Sequence, residues 1–99
     1  MRTIWKYKLA VSDEQRIIGP LVKPLSVGVQ GSDIVLWAIV DPDFKEHRVL
    51  RVLTRGTGHP AAGCDELTFL ETVEVPYDRA PTLPPLYFHI FAGFVGLAC

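Results

Sequence analysis

Residues 34–40 constrain the fold most strongly, because this run of seven consecutive apolar residues leaves a strand no polar face. Successive side chains of a strand point to opposite faces of the sheet. A strand of this composition therefore needs cover on both sides. We expect residues 34–40 to form a central strand, or a strand held between its sheet and a second layer or subunit. Asp41, Pro42 and Asp43 follow it and predict a turn.

The start of the chain shows the alternation of a half-buried strand. Trp5, Tyr7 and Leu9 alternate with Lys6 and Lys8, so the aromatic residues and the lysines fall on opposite faces. Lysines on the outer face are typical of edge strands, because they discourage pairing with another chain. We therefore place the first strand at a sheet edge.

A hairpin is predicted around Gly31. Residues 25–30 alternate apolar and polar side chains, and only Gly31 and Ser32 lie between them and the next apolar run. Glycine at the first central position fits a type II′ turn, which needs a positive φ there.

Further strands are predicted at residues 48–55, 67–75 and 86–91, and residues 12–15 are expected to cap one short turn. Four prolines indicate an extended connection between the last two strands: Pro76, Pro81, Pro84 and Pro85. The prediction is an all-β fold, a small antiparallel sandwich or open barrel of about six strands. It forms a single β domain over residues 1–99, with a core at 1–91 and an apolar tail at 92–99.

Length and composition exclude several classes of protein. The chain has 99 residues, of which 48% are hydrophobic, and a net charge of -1, which argues for one globular domain and against disorder. No apolar run is long enough for a transmembrane helix, and residues 1–8 contain no signal-peptide core. We expect a cytoplasmic protein with Cys64 and Cys99 reduced, no membrane contact and no general nucleic-acid binding.

Charge is distributed unevenly along the chain. Residues 1–55 contain nine basic and six acidic residues, whereas residues 56–99 contain one basic and five acidic residues. Such asymmetry favours a surface of two signs, suited to self-association or to an anionic ligand. The alternative is that strands from the two halves interleave and the charges average out.

The loop at residues 56–60, Gly-Thr-Gly-His-Pro, is the most distinctive motif. Glycines allow sharp turns that present backbone N–H groups to an anion. We predict an anion-binding site formed by six residues: Arg51, Arg55, Gly56, Thr57, Gly58 and His59. A plain tight turn after a strand explains the same residues without a ligand.

The sequence contains no recognisable motif for catalysis or metal binding. His47, His59 and His89 lack the spacing of metal ligands, and no Ser or Cys occupies a nucleophile elbow. Cys64 is the one thiol with a nearby base, His59, and an inert loop cysteine is the expected alternative. We therefore expect no catalytic residues, no metal, no cofactor and no enzyme, with a small hydrolase using His59 as the weaker hypothesis.

The C-terminal stretch is apolar enough to require cover. Residues 88–97 contain a single polar side chain, that of His89, and a free end of this kind docks on the core or on another subunit. We predict a homo-oligomer with an interface formed by Phe88, Phe91, Phe94, Val95 and Leu97.

Four segments, taken in order, resemble the marker segments of a short domain family of unknown function, found largely in tailed phages and prophages. They are WKY at residues 5–7, LWAIVDP at 36–42, GTGHP at 56–60 and FHIF at 88–91. The resemblance covers roughly residues 3–91 and implies a small protein in the cytoplasm of an infected bacterium. It implies no catalytic residues.

In that context we expect a non-catalytic phage accessory protein that counters bacterial defence by stoichiometric binding. The favoured ligand is a nucleotide-type immune signal, which the protein would sequester. One alternative is an inhibitor that binds a host defence protein directly, and another is a structural or accessory virion protein.

Overall fold

A computed structural model describes residues 1–75 and 85–97 and shows two antiparallel sheets packed face to face. The described strands are β1 Thr3–Leu9, β2 Glu14–Gly19, β3 Leu21–Gln30, β4 Asp33–Val40, β5 Arg48–Gly56, β6 Thr68–Val75 and β7 Leu86–Leu97. The first sheet has the order β1-β4-β3 and the second has the order β2-β5-β7-β6. A short 3-10 turn, Cys64–Glu66, precedes β6. The all-β antiparallel prediction is confirmed, and two separate sheets make the fold a sandwich.

The core lies between β4 of the first sheet and β5 and β7 of the second. Its central side chains are all buried: Ile34, Leu36, Ala38, Val40, Leu50, Val52, Ile90 and Ala92. Burial of one Val, Leu or Ile side chain stabilises the fold by roughly 1.5–3 kcal/mol. The inner faces of these three strands therefore hold the two sheets together.

The central position of β4 and the edge position of β1 are both confirmed. The outer face of β4 carries Val35, Trp37 and Ile39, and Trp37 pairs with Lys6 across the strands. A Cβ atom at Gly28 of β3 would lie 2.9 Å from the Trp37 ring. Glycine at this position therefore allows the indole to pack closely against the neighbouring strand.

The predicted hairpin joins β3 and β4. Gln30 pairs with Asp33 across the turn, and Gly31 has a φ of 64° whereas Ser32 has a negative φ, as a type II′ turn requires. Pro24 lies in β3 at the sheet edge, where a missing N–H is tolerated. Asp41 accepts a hydrogen bond from the Asp43 N–H, which confirms the turn after β4.

The prediction of a short turn at residues 12–15 is wrong, because β2 starts at Glu14 and pairs with β5. Its inward positions are Gln15, Ile17 and Gly19, of which only Ile17 is a large apolar residue. The alternation was therefore too weak to indicate a strand. Pro20 follows Gly19, and the chain passes there from the second sheet to the first.

The last strand is longer than predicted. β7 runs from Leu86 to Leu97 and pairs with β5 along most of its length, so residues 92–97 continue the sheet. β5 pairs with the backbone of these residues, which explains how an apolar segment is held against the sheet. Pro76, Pro81, Pro84 and Cys99 lie outside the described residues.

Tyr7 is an anomaly at the corner of the sandwich. Its hydroxyl lies against Gly19, where a Cβ would be 2.9 Å away, and it has no hydrogen-bond partner among the described residues. Burial raises the pKa of Tyr7 above its ordinary value. A buried hydroxyl without a partner destabilises the folded state.

Tyr7→Phe should therefore raise the free energy of unfolding by roughly 1 kcal/mol at neutral pH. Above about pH 10 the unfolded chain loses the Tyr7 proton before the folded chain does, so the free energy of unfolding of the wild type falls as the pH rises. The Tyr7→Phe variant has no proton to lose there, so its free energy of unfolding should lack this decrease. Urea denaturation at both pH values measures the difference, with exposed Tyr87→Phe as the matched control. A loss of stability at neutral pH would contradict this interpretation of Tyr7.

Candidate functional site

The predicted loop forms a tight turn directly after β5. The His59 N–H donates a hydrogen bond to the Gly56 carbonyl at 3.1 Å. Gly58 has a φ of 87° in the third position of this turn, the position where a type II turn requires glycine. The His59 ring packs over Gly56, where a Cβ would lie 3.2 Å from its atoms. Gly58 allows the turn, and Gly56 leaves room for the His59 ring, so both glycines determine the position of the imidazole.

His59 stands where three neighbouring clefts meet. Their volumes are about 230, 190 and 250 Å³, and the imidazole lines all three. Arg55 lines the first cleft, Phe88 the second, and Thr57 and Tyr87 the third. Each cleft alone is smaller than a typical small-molecule site of roughly 300–1,000 Å³, and all three adjoin the His59 ring.

Arg55 fixes the walls of the first cleft. Its guanidinium donates to the carbonyls of Asp13 at 2.6 Å, Thr54 at 3.1 Å and Ala62 at 3.0 Å. These acceptors are uncharged, and a guanidinium has five N–H donors. Arg55 therefore keeps its positive charge and two unused donors while it lines the cleft.

Arg51 lies on the same face of β5 but is committed elsewhere. Its guanidinium donates to the Glu14 carboxylate and lies 4.0 Å from that of Glu66. The hydrogen bond from Arg51 lowers the pKa of Glu14 below its ordinary value. Arg51 is therefore held by carboxylates and lines none of the three clefts around His59. Arg48 lies on the opposite face, as alternation predicts, and its guanidinium stacks on the Phe94 ring.

His89, which is not among the six residues predicted to form the site, lies beside the loop. In the sheet, His89 of β7 lies opposite Arg55 of β5 on one side and opposite Thr72 of β6 on the other. The Thr57 hydroxyl is 2.8 Å from its Nε2 atom and the Thr72 hydroxyl is 2.8 Å from its Nδ1 atom. This pairing depends on strand register, which no local sequence motif reveals. His89 thereby anchors the loop through Thr57.

Residues 61–66 fold back over the outer face of the second sheet. Leu53 is buried beneath this segment, and Cys64 within the segment is a buried free thiol. A Cβ at Gly63 would lie 3.2 Å from Leu53, and its φ of 83° favours glycine. Within the described residues no cluster of His, Cys, Asp and Glu could hold a metal ion.

The residues predicted to form an oligomer interface fall on both faces of β7. Phe88 and Phe94 pack against the core of the same chain. Phe91 lies on the outer face and contacts Phe69 edge to face at 5.4 Å. Val95 is exposed, and only the backbone of Leu97 is described. The subunit interface stays a prediction.

A family model described as Domain of unknown function (DUF7352) matches residues 1–95, and the chain belongs to this family. No curated protein and no solved structure matches the chain. Among the described residues, no helix is long and apolar enough to cross a membrane.

Replacing Arg55 should loosen the loop. Arg55→Ala removes three hydrogen bonds to backbone carbonyls, and we expect a loss of roughly 1–3 kcal/mol in the free energy of unfolding. Amide hydrogen exchange at residues 57–66 should accelerate more than exchange in β4. Arg16→Ala, which removes an exposed arginine from β2, is the matched control. Unchanged exchange at residues 57–66 would contradict an anchoring role.

The ion pair between Arg51 and Glu14 is testable by titration. Because Arg51 lowers the pKa of Glu14, the pair stabilises the fold above the ordinary carboxylate pKa, and this contribution is lost as pH falls through the lowered value. Arg51→Gln should return the pKa of Glu14 towards its ordinary value, which side-chain carboxyl NMR measures. Arg16→Gln should shift it less, since Arg16 acts on Glu14 only through longer-range charge. An equal shift in both variants would argue against a specific pair.

Proposed function

We propose that this member of the DUF7352 family is a non-catalytic binding protein whose clefts around His59 take an anionic ligand of nucleotide type. In an infected bacterial cell it would sequester an immune signal of that class, one ligand for each site. The observation that carries the proposal is Arg55, whose guanidinium is held by backbone carbonyls and forms no ion pair with a described carboxylate. A fixed cation beside a cleft is a suitable contact for phosphate oxygens.

The rest of the clefts offers the other contacts that a nucleotide needs. His59 and Thr57 are exposed and supply further hydrogen-bonding groups. Tyr87 is 47% exposed on the wall of the third cleft, and an accessible aromatic ring suits the stacking of a base. A phosphate near Arg55 and a base near Tyr87 would lie in two neighbouring clefts on either side of His59.

Binding is favoured over hydrolysis by the partners of His89. Thr57 and His89 have the spacing of a hydroxyl and a base. In a hydrolytic triad, however, a carboxylate orients the imidazole and stabilises its charged form. Here the hydroxyl of Thr72 occupies that position. A neutral hydroxyl stabilises an imidazolium less than a carboxylate does, so the trio suits ligand contact better than nucleophile activation.

Native mass spectrometry with a panel of linear and cyclic mono- and dinucleotides tests this function. We expect a non-covalent adduct of unchanged nucleotide mass on the wild-type protein. His59→Ala should weaken binding about tenfold, the equivalent of one charge-assisted hydrogen bond. Arg55→Lys keeps the charge but loses the planar donor set, and should also weaken it.

His47→Ala and Arg16→Ala are matched controls, since both residues are exposed and lie outside the three clefts. Both should bind as the wild type does. A product of altered mass at substoichiometric protein would replace this proposal with the hydrolase. The absence of any adduct across the panel would contradict a nucleotide ligand and favour direct inhibition of a defence protein or a virion role.

A further inference from the structure

The outer face of the three-stranded sheet combines apolar side chains with lysines. Trp37 and Ile39 of β4 lie at its centre, and Lys6, Lys8 and Lys23 surround them from the two neighbouring strands. These five residues are called the basic face below. Within the described residues no further layer covers this side of the sheet. Two-sided apolar strands are usually covered on both sides, so the basic face is a candidate contact surface.

The charge of the basic face is largely uncompensated. Lys6 donates a hydrogen bond to the neutral Gln30 amide oxygen at 2.8 Å. Lys8 forms an exposed ion pair with Asp33 at 3.4 Å, and exposed pairs of this kind contribute little. Lys23 makes no ion pair with another described residue. The face is therefore positive, and two copies of it repel each other.

The opposite polarity occurs on β6, at the edge of the other sheet. Phe69 is 52% exposed there, and Glu71 and Glu74 are also exposed. Neither glutamate pairs with a cation among the described residues. We call Phe69, Glu71 and Glu74 the acidic edge. Phe69 and Glu74 lie on the outer face of the second sheet, beside Phe91 and Tyr87, whereas Glu71 pairs with the buried Ile90 and lies on the inward side of the strand. The acidic edge is opposite in charge to the basic face and, like it, includes an aromatic side chain.

We propose that the basic face of one copy binds the acidic edge of a second copy. All strands of the three-stranded sheet come from residues 3–40, whereas β6 belongs to the acidic C-terminal part of the chain. The second sheet, however, joins β2 and β5 of the basic part to β7 and β6 of the acidic part, and β3, which carries Lys23, is the strand of the first sheet nearest to β6. The charges of the two halves are therefore mixed in the second sheet, and the proposal depends on the lysines of the first sheet and the two glutamates of β6. Because the two contact surfaces differ, the association is head to tail and forms rings or open chains.

The size of the basic face sets the strength of this contact. β4 has eight residues and the sheet has three strands, so the basic face measures roughly 26 Å along the strands and roughly 14 Å across them. This area is small for a permanent interface. The association is therefore concentration-dependent and salt-sensitive, since its ion pairs lie near solvent. It does not depend on the proposed ligand.

Sedimentation velocity of the full chain tests this contact over about 10–500 µM protein. At about 0.05 M salt the weight-average mass should rise above 11.0 kDa with concentration. At about 0.5 M salt it should return towards the monomer. A monomer throughout the range at low salt would overturn the proposal.

Charge reversal on each side gives the decisive comparison. Lys6→Glu with Lys23→Glu, and separately Glu71→Lys with Glu74→Lys, should each abolish self-association. An equimolar mixture of the two proteins should associate again, because each then offers the other an oppositely charged surface. Association in either reversed protein alone, or none in the mixture, would contradict the pairing.

Matched controls separate this contact from a general effect of net charge. Lys45→Glu and Glu46→Lys reverse exposed charges in the turn before β5, and both should associate as the wild type does. Circular dichroism checks that each variant folds. If a reversed variant does not fold, Lys6→Gln with Lys23→Gln should weaken association roughly tenfold, and an unchanged affinity would overturn the proposal.

Discussion

The packing of β4 against β5 and β7 is the interaction on which the rest of this structure depends. β4 contributes Ile34, Leu36, Ala38 and Val40 to the core, and their partners come from β5 and β7, which begin 8 and 46 residues after β4 ends. With β4 fixed, β1 and β3 have a central strand to pair with. The positions of β5 and β7 in turn determine where the loop at residues 56–60 lies beside the outer face of the second sheet.

The second sheet determines the geometry of the candidate site. Register places His89 between Arg55 and Thr72, and residues 61–66 cover Leu53 next to them. Arg55 fastens this segment and the start of β2 to the end of β5 through backbone carbonyls. The site is therefore held by the sheet and by an arginine that bonds to backbone carbonyls and forms no ion pair with a described carboxylate.

The sequence predicted those features that depend on local patterns. The apolar run at residues 34–40 indicated a central strand, alternation with lysines indicated the edge position of β1, and Gly31 indicated the hairpin. β2 was not predicted because two of its inward positions, Gln15 and Gly19, are not large apolar residues. The Gln15 side chain hydrogen-bonds to the Ala10 carbonyl, and the Tyr7 hydroxyl leaves no room for a Cβ at Gly19. The different partners of Arg51 and Arg55 were not predicted either, because Glu14 comes within reach of Arg51 only when β2 pairs with β5.

The outer face of the first sheet carries the basic face, and the outer face of the second sheet carries part of the site around His59. The packing of the inner faces determines where both surfaces lie.

The central claim is that the clefts around His59 bind an anionic nucleotide. Chemical-shift mapping of the labelled protein with the nucleotide panel tests it most directly. Binding should shift the amide signals of residues 55–59 and 87–89 and the ring signals of His59, and leave those of His47 unchanged. Shifts confined to other surfaces, or none at saturating nucleotide, would contradict the claim.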